Sequence, residues 1–214
     1  MAVVDEMEQL HRKYGIEQFH FTDSVVNAPA DQLEAICHEL IRRNLHVRWS
    51  GFFREDTFTA AAAALYEEAG CDCFSFSPDG LYQEALDVLD KHLTEPEILQ
   101  AATAAAATNV ISVYHFMVNL PGETAATVER SQRFLERLYT LHEPKRNLGT
   151  IVLNNVRILP GTPMEALARK AGIITPDTDL LYPTYCNPKP FETLRYRLEN
   201  LHLCRNVFQW QGLS

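Results

Sequence analysis

Residues 110–124 read Val-Ile-Ser-Val-Tyr-His-Phe-Met-Val-Asn-Leu-Pro-Gly-Glu-Thr. The first ten form a strand-like apolar run, the Pro-Gly pair breaks it, and Thr124 offers a cap for a helix with Val128, Ser131, Leu135 and Leu138 inward. A strand, a tight turn and a capped helix make one βα unit, and the same order recurs on both sides. Toward the amino end lie predicted strands at Phe19–Thr22, Val47–Phe53 and Cys73–Ser77, each followed by a helical pattern. Those helices start at Pro29, near Thr59 and at Gln83, the last running to Lys91. Thr94 and Glu97 form a capping box for a further helix through Ala107. Toward the carboxyl end, a strand at Gly149–Leu159 precedes Thr162, Pro163 and Glu165, which supply a cap, a first-turn proline and a capping acid. The chain opens on a helix with Val3, Met7, Leu10 and Tyr14 on one face, and a final helix is expected from Phe191 to Cys204. Five strands alternating with helices predict an α/β fold with a mostly parallel sheet. A βα-barrel and a doubly wound sheet both satisfy this pattern.

The 214 residues suit one domain or one with an appendage, at roughly 150 residues per domain. We divide them into a βα region over 1–175 and an extension over 176–214 with the final helix. The net charge of -9 argues against a nucleic-acid partner or docking on an anionic membrane. The most apolar stretch, 110–118, is far short of the ~20 residues a membrane span needs. The acidic start, with Asp5, Glu6 and Glu8, is unlike a signal peptide, so a cytoplasmic protein with free thiols is expected. The five cysteines are Cys37, Cys71, Cys73, Cys186 and Cys204.

Side chains alternate faces along a strand, and here one parity is repeatedly polar. Cys73, Ser75, Ser77 and Asp79 share a parity, as do Arg48, Ser50 and Arg54, His115 and Asn119, and Asn155 and Arg157; Asp23 follows Phe19 and Phe21. A polar lining is costly unless it holds water, a polar ligand or partners of its own. One reading is therefore a ligand cavity at the carboxyl ends of the strands, where βα folds place their sites. The other is that these residues pair among themselves. His20 and His115 read as core histidines. No Gly-rich phosphate loop and no HExxH zinc pattern occurs in the sequence, which weighs against an ordinary βα enzyme for a phosphorylated metabolite.

In their order and spacing, FHFTDSVVN (19–27), VRWSGFFRED (47–56), AGC (69–71), CFSFSPDG (73–80), ALDVLDKHLTEPEI (85–98), HFMVNLPGETAATV (115–128) and RILPGTPMEALARKAGI (157–173) resemble the radical S-adenosylmethionine superfamily. The resemblance spans roughly residues 10 to 175 and is strongest to the branch whose members often carry a cobalamin-binding domain ahead of the radical domain. It implies a partial TIM-like (β/α) barrel in which a four-iron, four-sulfur cluster binds S-adenosylmethionine and cleaves it reductively to a 5′-deoxyadenosyl radical. By position, the resemblance puts Asp23 near the methionyl group or the substrate, Arg54 near the carboxylate and Asp79 by the ribose, and counts Ser77 among the cofactor-binding residues. It likewise assigns Asn119, Pro121, Gly122, Leu159, Pro160 and Gly161 to the adenine cradle. Four departures stand out. The CxxxCxxC cluster motif is absent, and the barrel's first strand, which should carry it, is missing as well. Asn119 stands where the superfamily usually has Gly, and Asp79 where it usually has Glu. The expectation is a chain that supplies the nucleoside and substrate side of an enzyme, binds S-adenosylmethionine weakly if at all by itself, is inactive alone, and holds no metal. The iron–sulfur cluster then belongs only to a complete enzyme, and cobalamin to a preceding domain. The alternative is a non-catalytic βα domain that binds a ligand or a partner chain. An exposed edge at the first strand would favour self-association.

Overall fold

The computed structural model describes residues 2–186 and 208–211. Six strands lie in one sheet in chain order: β1 (Gln18–His20), β2 (Arg48–Phe53), β3 (Cys71–Asp79), β4 (Ile111–Val118), β5 (Leu148–Asn155) and β6 (Phe208–Gln211). β1 pairs parallel with β2, β2 with β3, and β5 with β6. The helices are α1 (Ala2–Tyr14), α2 (Ala30–Arg42), α3 (Ala60–Glu68), α4 (Gln83–Val88), α5 (Glu95–Ala106), α6 (Ala125–His142) and α7 (Pro163–Lys170). The alternation is that of an α/β fold with helices between parallel strands.

Two differences from the sequence reading concern strands. β6 is a sixth strand, in the segment assigned to the extension; its four residues, FQWQ, carry no apolar alternation long enough to announce it. β5 stops at Asn155 rather than Leu159. Beyond it the chain turns to a return segment: Arg157 and Tyr185 form an antiparallel bridge, and the Ile158 and Cys186 amides donate to the Thr184 and Val156 carbonyls. The expected helix from Phe191 to Cys204 lies outside the described residues.

The residues divide into two compact units. The first comprises 1–78, 93–114 and 140–149. Its core is an aromatic cluster. Phe53, Phe58, Phe74 and Phe76 meet edge-on or tilted, Trp49 and Tyr66 lie beside Phe53, and Tyr114 stacks on Phe76 at 5.2 Å. Small residues of α3 and α5 let these helices approach closely, with Ala63, Ala102 and Ala105 fully buried. In α1 the buried face is Val4 and Met7, not the expected Val3 and Tyr14, which are exposed. Thr59 and Thr94 accept the Ala62 and Glu97 amides as caps, and the Glu97 carboxylate accepts the Thr94 amide in return, completing the expected box.

A buried polar network closes the base of this unit. Asn147 lies just before β5, and its amide nitrogen donates to the carbonyls of Ala105, Thr108 and Val110 at 3.2, 2.9 and 3.2 Å. Its oxygen accepts from His142 Nδ1 at 2.8 Å. With Nδ1 thereby the donor, Nε2 is the acceptor, and the Tyr114 hydroxyl donates to it at 2.8 Å. Burial holds His142 below its ordinary pKa, so the ring is neutral.

The second unit comprises 79–92, 115–139 and 150–214. Phe116, Phe134, Leu135, Leu138, Leu153 and Ile158 form its core.

Candidate cofactor site

In the first unit, the polar parity of the strands is the less buried one. Ser50, Ser75 and Ser77 are half-buried while Trp49, Phe74 and Phe76 are buried. Parallel pairing sets His20 beside Ser50, and Ser50 beside Cys73. His20 Nδ1 and Ser50 Oγ are 2.9 Å apart, so part of this polar face does satisfy itself. Asp23 is exposed in the loop after β1, and Ser77 lies near the end of β3.

Arg54 follows β2 immediately, and its backbone is clasped. Asn27, fully buried, accepts from the Arg54 amide at 2.7 Å and donates to the Arg54 carbonyl at 2.9 Å. Asn27 thus imitates a strand partner at the end of β2 and fixes where the Arg54 side chain leaves the chain. Its amide also donates to the Thr57 hydroxyl. The guanidinium is held by Asp56, with Nε 2.9–3.0 Å from both carboxylate oxygens. Sequence reasoning points to neither Asn27 nor Asp56, although both fall inside the segments that carry the resemblance.

In the second unit, β3 and β4 end alike. Asp79 has φ 63° and Asn119 has φ 65°, both left-handed. Asn and Asp are the non-glycine residues that tolerate this region best, because a short polar side chain can bond locally. This is the physical reason Asn can stand at 119 where Gly is usual. Its side-chain amide donates to the side-chain Oδ1 of Asn155, and both residues are buried. Below the turn, the Glu123 carboxylate accepts from the Asn119 amide at 3.0 Å and from the Tyr82 hydroxyl. Burial pushes Glu123 up to about 6, against hydrogen bonds that favour its ionised form. Arg130 lies over the Tyr82 ring at 5.0 Å and pairs with Glu84 at 2.8 Å, so the β4–α6 turn is braced from α4.

The second turn, Leu159-Pro160-Gly161, is built the same way. Thr162 caps α7 by accepting the Glu165 amide, and its hydroxyl donates to the Leu159 carbonyl at 2.7 Å. Glu165 does not return to the Thr162 amide, as a capping box would. Its carboxylate accepts from Gly161 N–H at 2.7 Å and from Arg169. The amides of Asn119 and Gly161 are therefore used inside the fold. What the turns offer outward is the face of the chain: Gly122 and Gly161 have φ 94° and 76°, and a Cβ on either would meet no atom within 4 Å. Leu159, Pro160 and Gly161 are exposed.

Asp79 carries the clearest electrostatic contact. Its Oδ2 accepts from Lys91 Nζ at 2.8 Å, both side chains being about three-quarters or more buried. His115 is held below its ordinary pKa by burial, with the Asp79 charge pulling the other way.

Burial pushes the Cys37 thiol up to about 12 and the Cys186 thiol up to about 11, and raises Cys71 and Cys73. Among the described residues no three metal-ligating side chains are grouped. A cleft of about 450 Å³ lies around the α2–β2 and α3–β3 turns with Leu45, His46 and Gly70, and its lining includes none of the site residues expected from the sequence. Among the described residues no helix is long and apolar enough to cross a membrane.

Parallel strands alternating with helices, with polar and left-handed residues at the strands' carboxyl ends, make an α/β fold of the TIM-like kind. The family profile of the Radical SAM superfamily matches residues 2–135, and the chain belongs to that superfamily. Over 136 residues it is 24% identical to an uncharacterized methyltransferase of Pyrococcus horikoshii, covering 64% of this chain and 30% of that protein. Over 137 residues it is 26% identical to the anaerobic magnesium-protoporphyrin IX monomethyl ester cyclase of Rubrivivax gelatinosus, covering 61% and 24%. The chain thus spans under a third of either relative's length. Among solved structures, the radical S-adenosylmethionine methyltransferase TsrM of Kitasatospora setae, bound to tryptophan and a SAM analogue, superposes with a TM-score of 0.65 at 22% identity, over 89% of this chain and 37% of that one. The cobalamin-dependent radical enzyme OxsB gives a TM-score of 0.65 at 13% identity, over 86% and 33%. These likenesses show a shared fold.

Proposed function

We propose that this chain forms the nucleoside side of a radical S-adenosylmethionine enzyme acting on a small molecule. In such an enzyme the iron–sulfur cluster supplies the electron that cleaves S-adenosylmethionine to a 5′-deoxyadenosyl radical, and its ligands come from outside this chain. The observation that carries the reading is the pair of left-handed strand ends, Asp79 and Asn119, together with the open glycines Gly122 and Gly161. In this reading Asp79 takes the ribose hydroxyls, and Ser77 precedes it on the same strand parity. The adenine ring rests on the faces of Pro121, Gly122, Leu159, Pro160 and Gly161, while Asn119 sets the bend of the first turn. Recognition of adenine is then by contact and shape, because the amides of Asn119 and Gly161 already have acceptors. Asp23 and Arg54 are the groups for the methionyl end or the substrate, with Asn27 and Asp56 fixing Arg54.

Affinity for S-adenosylhomocysteine should be weak, since cluster contacts to the amino-acid end are not supplied by these thiols. Calorimetry with the purified chain tests this. We expect measurable binding that Asp79→Ala weakens by about tenfold, the worth of one charge-assisted hydrogen bond. Binding untouched by Asp79→Ala contradicts the assignment. The second reading is a βα domain that binds a ligand or partner without iron–sulfur chemistry. That reading gains if an affinity column of immobilised S-adenosylhomocysteine fails to retain the chain.

A further inference from the structure

Lys91 belongs to neither turn, yet the backbone is bent on both sides of it. Asp90 has φ 52° and His92 has φ 51°, so two non-glycine residues flanking Lys91 are left-handed. Such conformations persist where the surroundings over-determine them. Here the surroundings are the last turn of α4: the Asp90 amide donates to the Asp87 carbonyl and the Lys91 amide to the Leu86 carbonyl, each at 3.1 Å. The same helix seats the other end of the ion pair. A Cβ on Gly80 would come within 2.7 Å of the Leu86 side chain and 2.8 Å of its amide nitrogen, so the Asp79-Gly80 turn lies flush against α4. Asp79 and Lys91 are therefore both anchored on one short element, and the 2.8 Å contact between them is a product of backbone placement at each end.

An aspartate in a left-handed turn has a short side chain with two rotatable bonds. Held at Oδ2 by an ammonium group, it keeps one rotamer and presents Oδ1 in a single direction. We propose that Lys91 is a positioning residue of the ribose subsite, aligning Asp79 for a ligand that carries both ribose hydroxyls; this rests on the assignment of Asp79 made above. His115, whose ring the Asp79 charge also reaches, is the other titratable group identified at this carboxylate. Fixing the carboxylate matters most for a vicinal diol, because two hydroxyls ask for a defined carboxylate plane and one does not.

The test is calorimetric titration of the purified chain with 5′-deoxyadenosine and with 2′,5′-dideoxyadenosine. The wild-type chain should prefer the diol by about tenfold. Lys91→Met should weaken 5′-deoxyadenosine binding by about tenfold and erase the preference, and Lys91→Arg should restore both to within about threefold. Asp79→Asn removes the charge that Lys91 acts on, so adding Lys91→Met to Asp79→Asn should change nothing further. A general structural role for Lys91 would weaken binding in both backgrounds, and that result overturns the proposal, as does a Lys91→Met variant that keeps the diol preference. If the wild-type chain shows no diol preference, or Asp79→Asn leaves its affinity unchanged, the ribose assignment itself fails and the proposal falls with it.

Discussion

Replacing Glu123 by Gln tests how the β4–α6 turn is held. The carboxylate sits beneath the turn, accepting from the Asn119 amide and the Tyr82 hydroxyl, and burial moves its pKa from the ordinary 4.5 to about 6. The folded protein therefore holds this proton more tightly than the unfolded chain does. Below the unfolded value both states are protonated and the group is at its most favourable. As pH rises the unfolded state ionises first, and stability falls until the folded group has ionised too. A rise from 4.5 to about 6 corresponds to about 2 kcal/mol lost across that window. Gln cannot ionise, yet its oxygen can still accept the Asn119 amide. Urea unfolding followed by Trp fluorescence, run on both proteins from about pH 4 to about pH 7.5, isolates the effect. The wild-type free energy should decline relative to Glu123→Gln by about 2 kcal/mol, mostly between about pH 4.5 and 6.5. A difference that stays flat with pH, or that grows toward acid, would mean that Glu123 is not desolvated under the turn.

Three further outcomes follow from the geometry. Asn147→Ala strands the three carbonyls it serves and the His142 Nδ1 proton, and urea unfolding should show a loss of about 2–4 kcal/mol. His142 is buried and neutral with a lowered pKa, so acid should destabilise the protein as pH falls below the ordinary value of 6.5; in His142→Gln that part of the slope should be gone. At position 119, Gly keeps the left-handed turn whereas Val does not, so thermal melts should place Asn119→Val below Asn119→Gly by the equivalent of about 1–2 kcal/mol.

The fold is legible in the sequence wherever a local rule decides the outcome. Strand–helix alternation, the Thr94–Glu97 box and the Thr162 cap depend on neighbours in sequence. The polar parity of β2 and β3 is likewise visible, because alternation is a property of the strand itself. The remainder depends on contacts remote in sequence. β6 is defined by pairing with β5, some 57 residues earlier at Ile151↔Phe208, and its own four residues give no sign of it. The buried face of α1 holds Val4 in place of the expected Val3 and leaves Tyr14 exposed, since Val3 and Val4 both fit an apolar pattern and packing chose Val4. Of the site residues expected from sequence, Asp79 and Asn119 have the distinctive geometry, and the superfamily resemblance points to both. Asn27, Asp56, Lys91 and Glu123 are not among those expectations. Each acts by holding another residue, and that role appears only once the turn geometry is known.

The Asn147 network has a consequence for how the protein tolerates mutation. Its amide reads main-chain carbonyls at 105, 108 and 110, atoms that every amino acid provides. No particular side chain at those three positions is needed for these bonds. The whole demand falls on one residue, for which the twenty natural side chains offer few substitutes: it must donate to several carbonyls and accept from a neutral imidazole. These bonds by themselves therefore leave the side chains at the held positions to be set by packing, while they nearly freeze the residue that holds them.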